Sequence, residues 1–355
     1  MAVLTDDVRI DTLKPLLPPA ILMEEIPLPE AASGLVAESR SEVADIIEGK
    51  DDRLVVVVGP CSIHDPEAGL EYARRLKAVM PKLGADLKLV MRTYFEKPRT
   101  TVGWKGLIND PKLDGSFAIN QGLRVARTFL RDAVELGLPT ALEFLDPITP
   151  QFMADLVTWG AIGARTTESQ VHRELASGLS MPVGFKNGTS GTLQIAADAV
   201  RSAAEPHHFL SVTKQGLAAI VATKGNPHCH VILRGGSNGP NYGAEAVASA
   251  VALLEKNKLP GKLMIDTSHA NSGKDPSKQP AVADAIAGQV AAGSQAIFGV
   301  MIESFLVSGR QEITERAQMT FGQSVTDGCL GWDTTVPVLE SLAAAVRARR
   351  GVTTR

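Results

Sequence analysis

This chain has few cysteines, a small net charge and no long apolar run, and each of these features argues against a class of protein. The 355 residues include three cysteines, an odd number that makes a poor disulfide framework and is typical of a reducing cytoplasm. A net charge of -3 argues against a general binder of nucleic acid or of membrane surfaces. No apolar run approaches the roughly 18 residues that span a bilayer. The first residues lack the basic and apolar regions of a secretory signal, so we expect a cytoplasmic protein.

Eight short apolar runs recur after residue 50, and most are followed by an amphipathic stretch. Their near-continuous hydrophobicity is typical of parallel strands buried on both faces. The runs are residues 54–60, 87–93, 139–144, 161–165, 182–186, 230–235, 263–267 and 296–301. Eight strands alternating with helices predict an α/β fold, a (β/α)₈ TIM barrel. The alternative is a doubly wound open sheet, but the segment after the first run is not the glycine-rich nucleotide loop that such a sheet usually carries.

Two segments stand apart from this alternation. Residues 1–50 are polar and interrupted by prolines, which predicts an N-terminal arm followed by a short helix over 33–48. Residues 207–223 suggest two short strands around a Lys-Gln-Gly turn, so we predict a β-hairpin inserted between barrel strands 5 and 6. The catalytic barrel itself then covers residues 51–355.

Cationic side chains follow several of the predicted strands at the point where each strand ends. Because the carboxyl ends of barrel strands meet on one face, we expect these cations to converge there. They are Arg92, Lys97, Arg99, Arg165, Lys186 and Arg234. Converging cations repel one another unless anions lie between them, which predicts a site for phosphate or carboxylate groups. Any one of them could instead pair with a barrel carboxylate, an explanation that weakens as their number grows.

A second set of strand-end residues offers metal ligands. Cys61, His269 and Glu303 combine a thiolate, an imidazole and a carboxylate, and Asp327 could complete the set. Such donors suit a divalent transition metal better than magnesium. Lone cysteines are usually buried as small apolar residues, so the residue types alone leave metal binding open.

Several long motifs resemble those of one enzyme family. They are Gly59-Pro60-Cys61-Ser62-Ile63-His64-Asp65, the Phe95–Gly106 segment with Lys97-Pro98-Arg99-Thr100, Gly163–Gln170, Gly184–Thr189 and Ile232–Gly236. Together they strongly resemble the type I, feedback-regulated 3-deoxy-D-arabino-heptulosonate 7-phosphate (DAHP) synthases, most closely the phenylalanine-sensitive members. Members of this family have a (β/α)₈ barrel and condense phosphoenolpyruvate with erythrose 4-phosphate, the first step of the shikimate pathway.

The resemblance assigns roles to individual residues. It implies metal ligands at Cys61, His269, Glu303 and Asp327. Phosphoenolpyruvate would be bound by Arg92, Arg165, Lys186 and Arg234, beside the backbone of Gly163 and Ala164. Erythrose 4-phosphate would meet Arg99 and Thr100, while Lys97, Lys186 and Glu143 are the candidate catalytic groups. The implied cofactor is one divalent transition metal per subunit, with manganese expected and iron, cobalt, zinc or copper also suitable.

Feedback regulation and assembly are likewise implied by the resemblance. The family binds an aromatic amino acid between the inserted hairpin and a neighbouring subunit's arm, in a homotetramer. The matching positions are Asp6, Asp7, Gln151, Ser180, Phe209, Ser211 and Val221. We expect phenylalanine as the effector, and neither nucleic acid nor membrane as a partner.

Three other functions are consistent with parts of the pattern. A related enzyme could use arabinose 5-phosphate, although the Lys-Pro-Arg-Thr motif favours the four-carbon aldehyde. An aldolase could form a Schiff base at Lys186 and would then survive chelation. A catalytically inactive phosphate-binding protein is the third, but all the proposed ligands are present.

Overall fold

A closed barrel of eight parallel strands forms the centre of the computed structural model, which describes residue 3 and residues 5–353. Its strands are β1 (Leu54–Gly59), β2 (Leu87–Arg92), β3 (Thr140–Glu143), β4 (Trp159–Ile162), β5 (Val183–Lys186), β8 (Cys229–Leu233), β9 (Leu263–Asp266) and β10 (Ile297–Glu303). Around the barrel they follow the order β1-β10-β9-β8-β5-β4-β3-β2. Every residue of these strands is buried, which confirms the predicted TIM barrel.

Helices separate successive strands and surround the barrel. They are α1 (Pro19–Glu25), α2 (Glu30–Glu48), α3 (Pro66–Leu83), α4 (Ile119–Glu135), α5 (Thr149–Met153), α6 (Gln170–Gly178), α7 (Gln194–Ala203), α8 (Ala244–Lys256), α9 (Gln279–Ala291) and α10 (Trp332–Thr353). The start of α3 shows how local sequence sets a boundary: Asp65 accepts from the backbone N–H of Glu67 at 3.0 Å, and Pro66 occupies the first turn. Among the described residues, no helix combines the length and apolar character needed to cross a bilayer.

The fourth barrel strand lies earlier than the sequence pattern predicted. It covers Trp159–Ile162 rather than 161–165, and the helix that begins at Thr149 ends at Met153. The aromatic ring of Trp159 is fully buried, and its Nε1 donates to Nε2 of His230 at 3.2 Å. Phe152, Leu156 and Trp159 are spaced as on one face of a helix, but burial of the Trp159 ring in the barrel outweighs that local signal.

Helix α2 packs against the interior side chains at the amino-terminal end of the barrel. Its residues Val43, Ile46 and Ile47 belong to the same buried cluster as Val57 and other inward-facing strand residues. This packing covers one end of the barrel, so a site has room only at the carboxyl end. The helix begins three residues before the predicted 33–48, directly after Pro29.

The inserted hairpin is present and lies between barrel strands β5 and β8. It comprises β6 (His208–Val212) and β7 (Ala218–Ala222), which pair antiparallel with Phe209 opposite Val221. One face of the hairpin is open, since Leu210 is 87% exposed. The other face is tied to the barrel, because Nε2 of Gln151 donates to the Val212 carbonyl at 2.9 Å. A further pair of short strands, β11 (Val307–Arg310) and β12 (Gln323–Ser324), follows the barrel.

Candidate active site

A cavity of about 570 Å³ opens at the carboxyl ends of the barrel strands. Its charged lining residues are the cations Lys97, Arg99, Arg165, Lys186, Arg234 and Lys274 and the carboxylates Glu143 and Asp327. The other lining residues include His269, Thr100, Gly163, Ala164, Thr189 and Ser237. Positive charge therefore dominates the wall of this cavity, in a chain whose net charge is -3. Such a wall attracts anions bearing phosphate or carboxylate groups.

Arg92 is the one cation of the predicted set that does not line the cavity. It is fully buried, and its guanidinium donates to Oε1 of Glu303 at 3.0 Å and to the Pro60 carbonyl at 3.0 Å. The guanidinium carbon also lies 3.6 Å from the centre of the Tyr94 ring. Arg92 thus supports β10 and the segment after β1 from beneath.

Three of the four predicted metal ligands lie together. Donor atoms of Cys61, Glu303 and Asp327 all lie within 4.8 Å of one another, and Cys61 Sγ is 3.9 Å from Asp327 Oδ2. Cys61 lies two residues after the end of β1, Glu303 ends β10, and Asp327 lies three residues after β12. A thiolate beside two carboxylates fits a divalent transition metal.

His269, the fourth predicted ligand, is oriented by its neighbours. Its Nδ1 lies 2.9 Å from Asp266 Oδ2, and its Nε2 lies 3.9 Å from Glu303 Oε1. An N–H at Nδ1 directed to a carboxylate leaves Nε2 free to act as a ligand on the side of Glu303. The ring therefore lies beside the cluster of Cys61, Glu303 and Asp327, but its nitrogens are not within 4.8 Å of all three donor atoms.

Asp266 joins the metal side of the site to the cationic side. Its Oδ2 accepts from Lys186 Nζ at 2.8 Å, and its Oδ1 accepts from Ser268 Oγ at 2.6 Å. Burial alone would raise the pKa of this carboxyl, but the Lys186 ammonium and the His269 ring outweigh burial and hold the pKa of Asp266 well below its usual range. Asp266 is therefore a partner of both His269 and Lys186.

The side chain of Lys97 points toward Cys61. Its Nζ lies 3.1 Å from Cys61 Sγ. Burial and the nearby Glu303 carboxylate raise the pKa of Cys61, whereas the Lys97 ammonium acts against them. The Lys97 N–H donates to the Lys105 carbonyl at 2.8 Å, and Gly106 allows this close approach because a Cβ there would lie 2.0 Å from the Phe95 carbonyl oxygen.

The outer wall of the cavity is built from the Lys-Pro-Arg-Thr segment and the loop after β4. Arg165 donates to Thr100 Oγ1 at 3.3 Å, while Arg99 Nε donates to the Trp104 carbonyl at 2.8 Å. A Cβ on Gly163 would lie 2.2 Å from Glu143 Oε1, so only glycine lets the two meet as they do. The predicted substrate residues Gly163 and Ala164 therefore lie directly beside the predicted catalytic carboxylate.

The predicted regulatory residues lie away from this cavity. Gln151, Phe209, Ser211 and Val221 gather at the hairpin, and Ser180 lies in the exposed turn before β5. Asp6 and Asp7 lie in an exposed turn at the start of the arm. Among the described residues, no hydrogen bond or ion pair connects these two aspartates to the hairpin.

Lys274 was missed from the sequence although it lines the cavity. It follows Gly273, and both residues have positive φ, 63° and 62° respectively. The Lys274 N–H donates to the His269 carbonyl at 2.6 Å, which brings the chain back over the site. A glycine just before a lysine in the loop after a barrel strand was the available signal. Thr189 and Ser237 were missed as well, since neither carries charge.

Comparison with known proteins assigns the family. The protein-family model described as "DAHP synthetase I family" matches residues 28–340 of this chain. This chain belongs to the DAHP synthetase I family. It is 58% identical over 346 residues to a protein of Escherichia coli (strain K12) named phospho-2-dehydro-3-deoxyheptonate aldolase, Phe-sensitive, covering 98% of this chain and 99% of that one.

Two further similarities support the same family. The tyrosine-inhibited phospho-2-dehydro-3-deoxyheptonate aldolase of Schizosaccharomyces pombe (strain 972 / ATCC 24843) is 54% identical over 349 residues, 97% of this chain and 94% of that one. A solved phospho-2-dehydro-3-deoxyheptonate aldolase from Francisella tularensis SCHU S4 matches with a TM-score of 0.94 and 57% identity, over 96% of this chain and 99% of that one. The sequence similarity to these relatives thus extends across the barrel, the hairpin and most of the arm.

Proposed function

We propose that this protein condenses phosphoenolpyruvate with D-erythrose 4-phosphate and water to give 3-deoxy-D-arabino-heptulosonate 7-phosphate and phosphate, the first step of the shikimate pathway. The observation that carries the proposal is a cavity whose cationic wall includes Asp327, which lies within 4.8 Å of the buried potential metal ligands Cys61 and Glu303. Two phosphorylated reactants need such a wall, and membership of the DAHP synthetase I family agrees with this reaction.

The cations divide between the two reactants. Lys186 and Arg234 lie on the inner wall and, with Arg165 and the backbone of Gly163 and Ala164, would hold the carboxylate and phosphate of phosphoenolpyruvate. Arg92 would support them from below. Arg99 and Thr100 form the outer wall and would bind the phosphate of erythrose 4-phosphate. Fixing both reactants lowers the entropic barrier to their meeting.

Three side chains are proposed to move protons or direct water. Lys97 is the candidate donor to the oxyanion that develops when C3 of phosphoenolpyruvate attacks the aldehyde, because its ammonium extends to the cavity floor beside Cys61. Glu143 and Lys186 face the same cavity and are the candidates for directing the water that adds at C2. Phosphate then leaves from C2.

The donor set supports one divalent metal per subunit. Cys61, His269, Glu303 and Asp327 would hold it, and the thiolate favours a transition metal, with manganese proposed and iron, cobalt, zinc or copper also suited. When bound, such a metal polarises the aldehyde as a Lewis acid. Asp266 holds the His269 ring in position for this role.

Feedback control by an aromatic amino acid is part of the proposal. Relatives named Phe-sensitive and tyrosine-inhibited match at 58% and 54% identity, so overall identity does not distinguish between the two effectors. We propose phenylalanine, bound near Phe209, Ser211 and Val221, with Asp6 and Asp7 supplied by a neighbouring subunit of a homotetramer. The exposed apolar face of the hairpin supports such assembly, and the three free, buried cysteines support a cytoplasmic location.

A Schiff-base mechanism at Lys186 is disfavoured by its contacts. The Lys186 side chain donates to Asp266 Oδ2 at 2.8 Å, so its nitrogen is engaged by a carboxylate rather than presented to a substrate carbonyl. A Schiff-base aldolase would also keep its activity in the presence of chelators.

The test is phosphate release from phosphoenolpyruvate plus erythrose 4-phosphate, before and after treatment with EDTA and after manganese is restored. We expect activity to disappear with the metal and to return with it. Activity that survives thorough chelation would reject the metal-dependent mechanism. Turnover only with other aldose phosphates, such as arabinose 5-phosphate, would reject the proposed substrate.

A further inference from the structure

Three asparagine side chains from three different loops surround the backbone of Arg234. Asn187 follows β5, Asn241 lies in the loop after β8, and Asn271 lies in the loop after β9. None of the three lines the cavity, whereas the guanidinium of Arg234 does. Their contacts therefore act on the substrate site from behind it.

The contacts are with backbone groups on both sides of Arg234. Asn187 Oδ1 accepts from the Arg234 N–H at 2.8 Å, and Asn241 Oδ1 accepts from the Gly235 N–H at 2.7 Å. Asn187 Nδ2 donates to the Gly235 carbonyl at 2.9 Å. Strand β8 ends at Leu233, so these groups have left the barrel ladder and need other partners. Amide side chains provide those partners and fix the direction in which Arg234 leaves the strand.

Asn241 is the centre of this network. Its Nδ2 donates to Asn187 Oδ1 at 3.1 Å, and its backbone N–H donates to Asn271 Oδ1 at 2.8 Å. Asn271 Nδ2 in turn donates to the carbonyl of Asp266 at 2.7 Å. The network thus connects the loop that carries Arg234 with the strand end that carries Asp266, the partner of Lys186.

The guanidinium of Arg234 has few partners of its own. It is 8% exposed, its Nε has no hydrogen-bond partner within the described part of the chain, and one terminal nitrogen donates to the Gly235 carbonyl at 3.4 Å. A buried cation with unfilled donors is unfavourable until an anion reaches it. This unfavourable state can be converted into affinity only if the donors already point at the anion, which requires a fixed backbone.

We infer that Asn241 is a positioning residue for phosphoenolpyruvate: it binds the Gly235 N–H and holds Asn187, which binds the Arg234 N–H, so that the guanidinium is aimed at the anion before the anion arrives. The inference rests on the proposed function, because it assigns this anion site to one of its two substrates. The hydrogen bonds of the three asparagine side chains do not involve Arg99 or Thr100, the residues proposed for erythrose 4-phosphate.

The test compares Asn241→Ala with Asn226→Ala in the manganese-loaded enzyme. Asn226 is a matched control: it is buried, donates from Nδ2 to the Met181 carbonyl at 2.9 Å, and accepts from the His228 N–H at 3.1 Å, but it lies before β8 at the opposite end of the barrel. We expect Asn241→Ala to raise the KM for phosphoenolpyruvate about tenfold, because a misdirected Arg234 loses about one hydrogen bond to the anion, and to leave the KM for erythrose 4-phosphate unchanged. Asn226→Ala should lower the melting temperature and change neither KM.

Calorimetric measurement of phosphoenolpyruvate binding, without erythrose 4-phosphate, gives an independent readout. If the Asn241→Ala variant does not fold, Asn241→Ser replaces it in both measurements. Equal affinities of wild type and variant, a parallel rise in both KM values, or the same KM change in Asn226→Ala would overturn the inference. If wild type binds phosphoenolpyruvate and the variant binds it more weakly, while neither forms product, the inference holds and the proposed reaction alone is rejected.

Discussion

At the scale of single residues, the site depends on buried charges that are paired with unlike charges. Asp266 is fully buried and is contacted by Lys186, His269 and Ser268. A buried carboxylate of this kind is tolerated because each lone pair meets a donor. The same residue therefore holds the Lys186 side chain and directs the His269 ring.

Replacing Asp266 should damage both sides of the site at once. In Asp266→Asn the side chain keeps its shape but loses its charge, so Lys186 is left buried without a counter-ion at a cost of about 3–5 kcal/mol in unfolding free energy. Loss of the contact to His269 should weaken metal binding about 10- to 100-fold. Denaturant unfolding and metal titration measure the two effects. Asp284→Asn, an exposed aspartate on α9, should change neither quantity, and unaltered metal affinity in Asp266→Asn would contradict the role assigned to Asp266.

At the scale of secondary-structure elements, the hairpin is built differently from the barrel strands. Residues of β6 and β7 alternate between exposed and partly buried positions, whereas those of the barrel strands are buried throughout. Phe209 and Val221 are opposite one another on the partly buried face, and the Gln151 side chain binds the end of β6. This element is thus attached to the barrel but is not part of its core.

The hairpin should be separable from catalysis. Phe209→Ala removes an aromatic side chain from the proposed effector site and should raise the phenylalanine concentration that gives half-inhibition about tenfold, with kcat and both KM values unchanged. Titration of the activity with phenylalanine, tyrosine and tryptophan measures this effect. Phe321→Ala, which removes an exposed aromatic ring elsewhere, is the control. Unchanged inhibition in Phe209→Ala would place the effector site away from the hairpin.

At the scale of the whole molecule, buried histidines couple the fold to pH. Burial lowers the pKa of His64 and that of His230 to about 4, from the ordinary value of 6.5. Between these values the unfolded chain binds protons that the folded protein excludes. Their contribution to stability is therefore complete above pH 6.5 and is lost as the pH falls toward 4. Glu96 acts in the opposite sense, because burial raises its pKa to about 8.

A variant isolates the part that belongs to His230. At pH 5 this residue should lower the unfolding free energy by about 2 kcal/mol relative to pH 7, at 1.36 kcal/mol for each pH unit below 6.5. In His230→Gln the amide oxygen can still accept from Trp159 Nε1, but nothing titrates. We expect the stability of this variant to fall less than that of wild type between pH 7 and pH 5 in urea unfolding. If the unfolding free energies of wild type and variant decrease equally between pH 7 and pH 5, His230 is protonated at pH 5 in the folded protein as well.

Much of the site was predictable because parallel strands end together. Cys61, Lys186 and Glu303 each follow or end a strongly apolar run, so their convergence follows from the barrel alone. The strand boundary at Trp159 was not predictable, since its helical spacing is a local signal and its burial is a tertiary one. Lys274 escaped notice because its loop turns back through two residues of positive φ, which no apolar pattern records.

By itself the sequence determined the barrel, the inserted hairpin, the family and the set of chemical groups at the strand ends, because runs of buried residues and long motifs are local properties of the chain. Only the tertiary structure decided how these groups are paired. It placed Arg92 beneath the cavity and Asp266 between Lys186 and His269, and it joined Asn187, Asn241 and Asn271 behind Arg234. Hydrogen bonds between residues far apart in the chain depend on the directions that loops take, and those directions are set only when the whole barrel has closed.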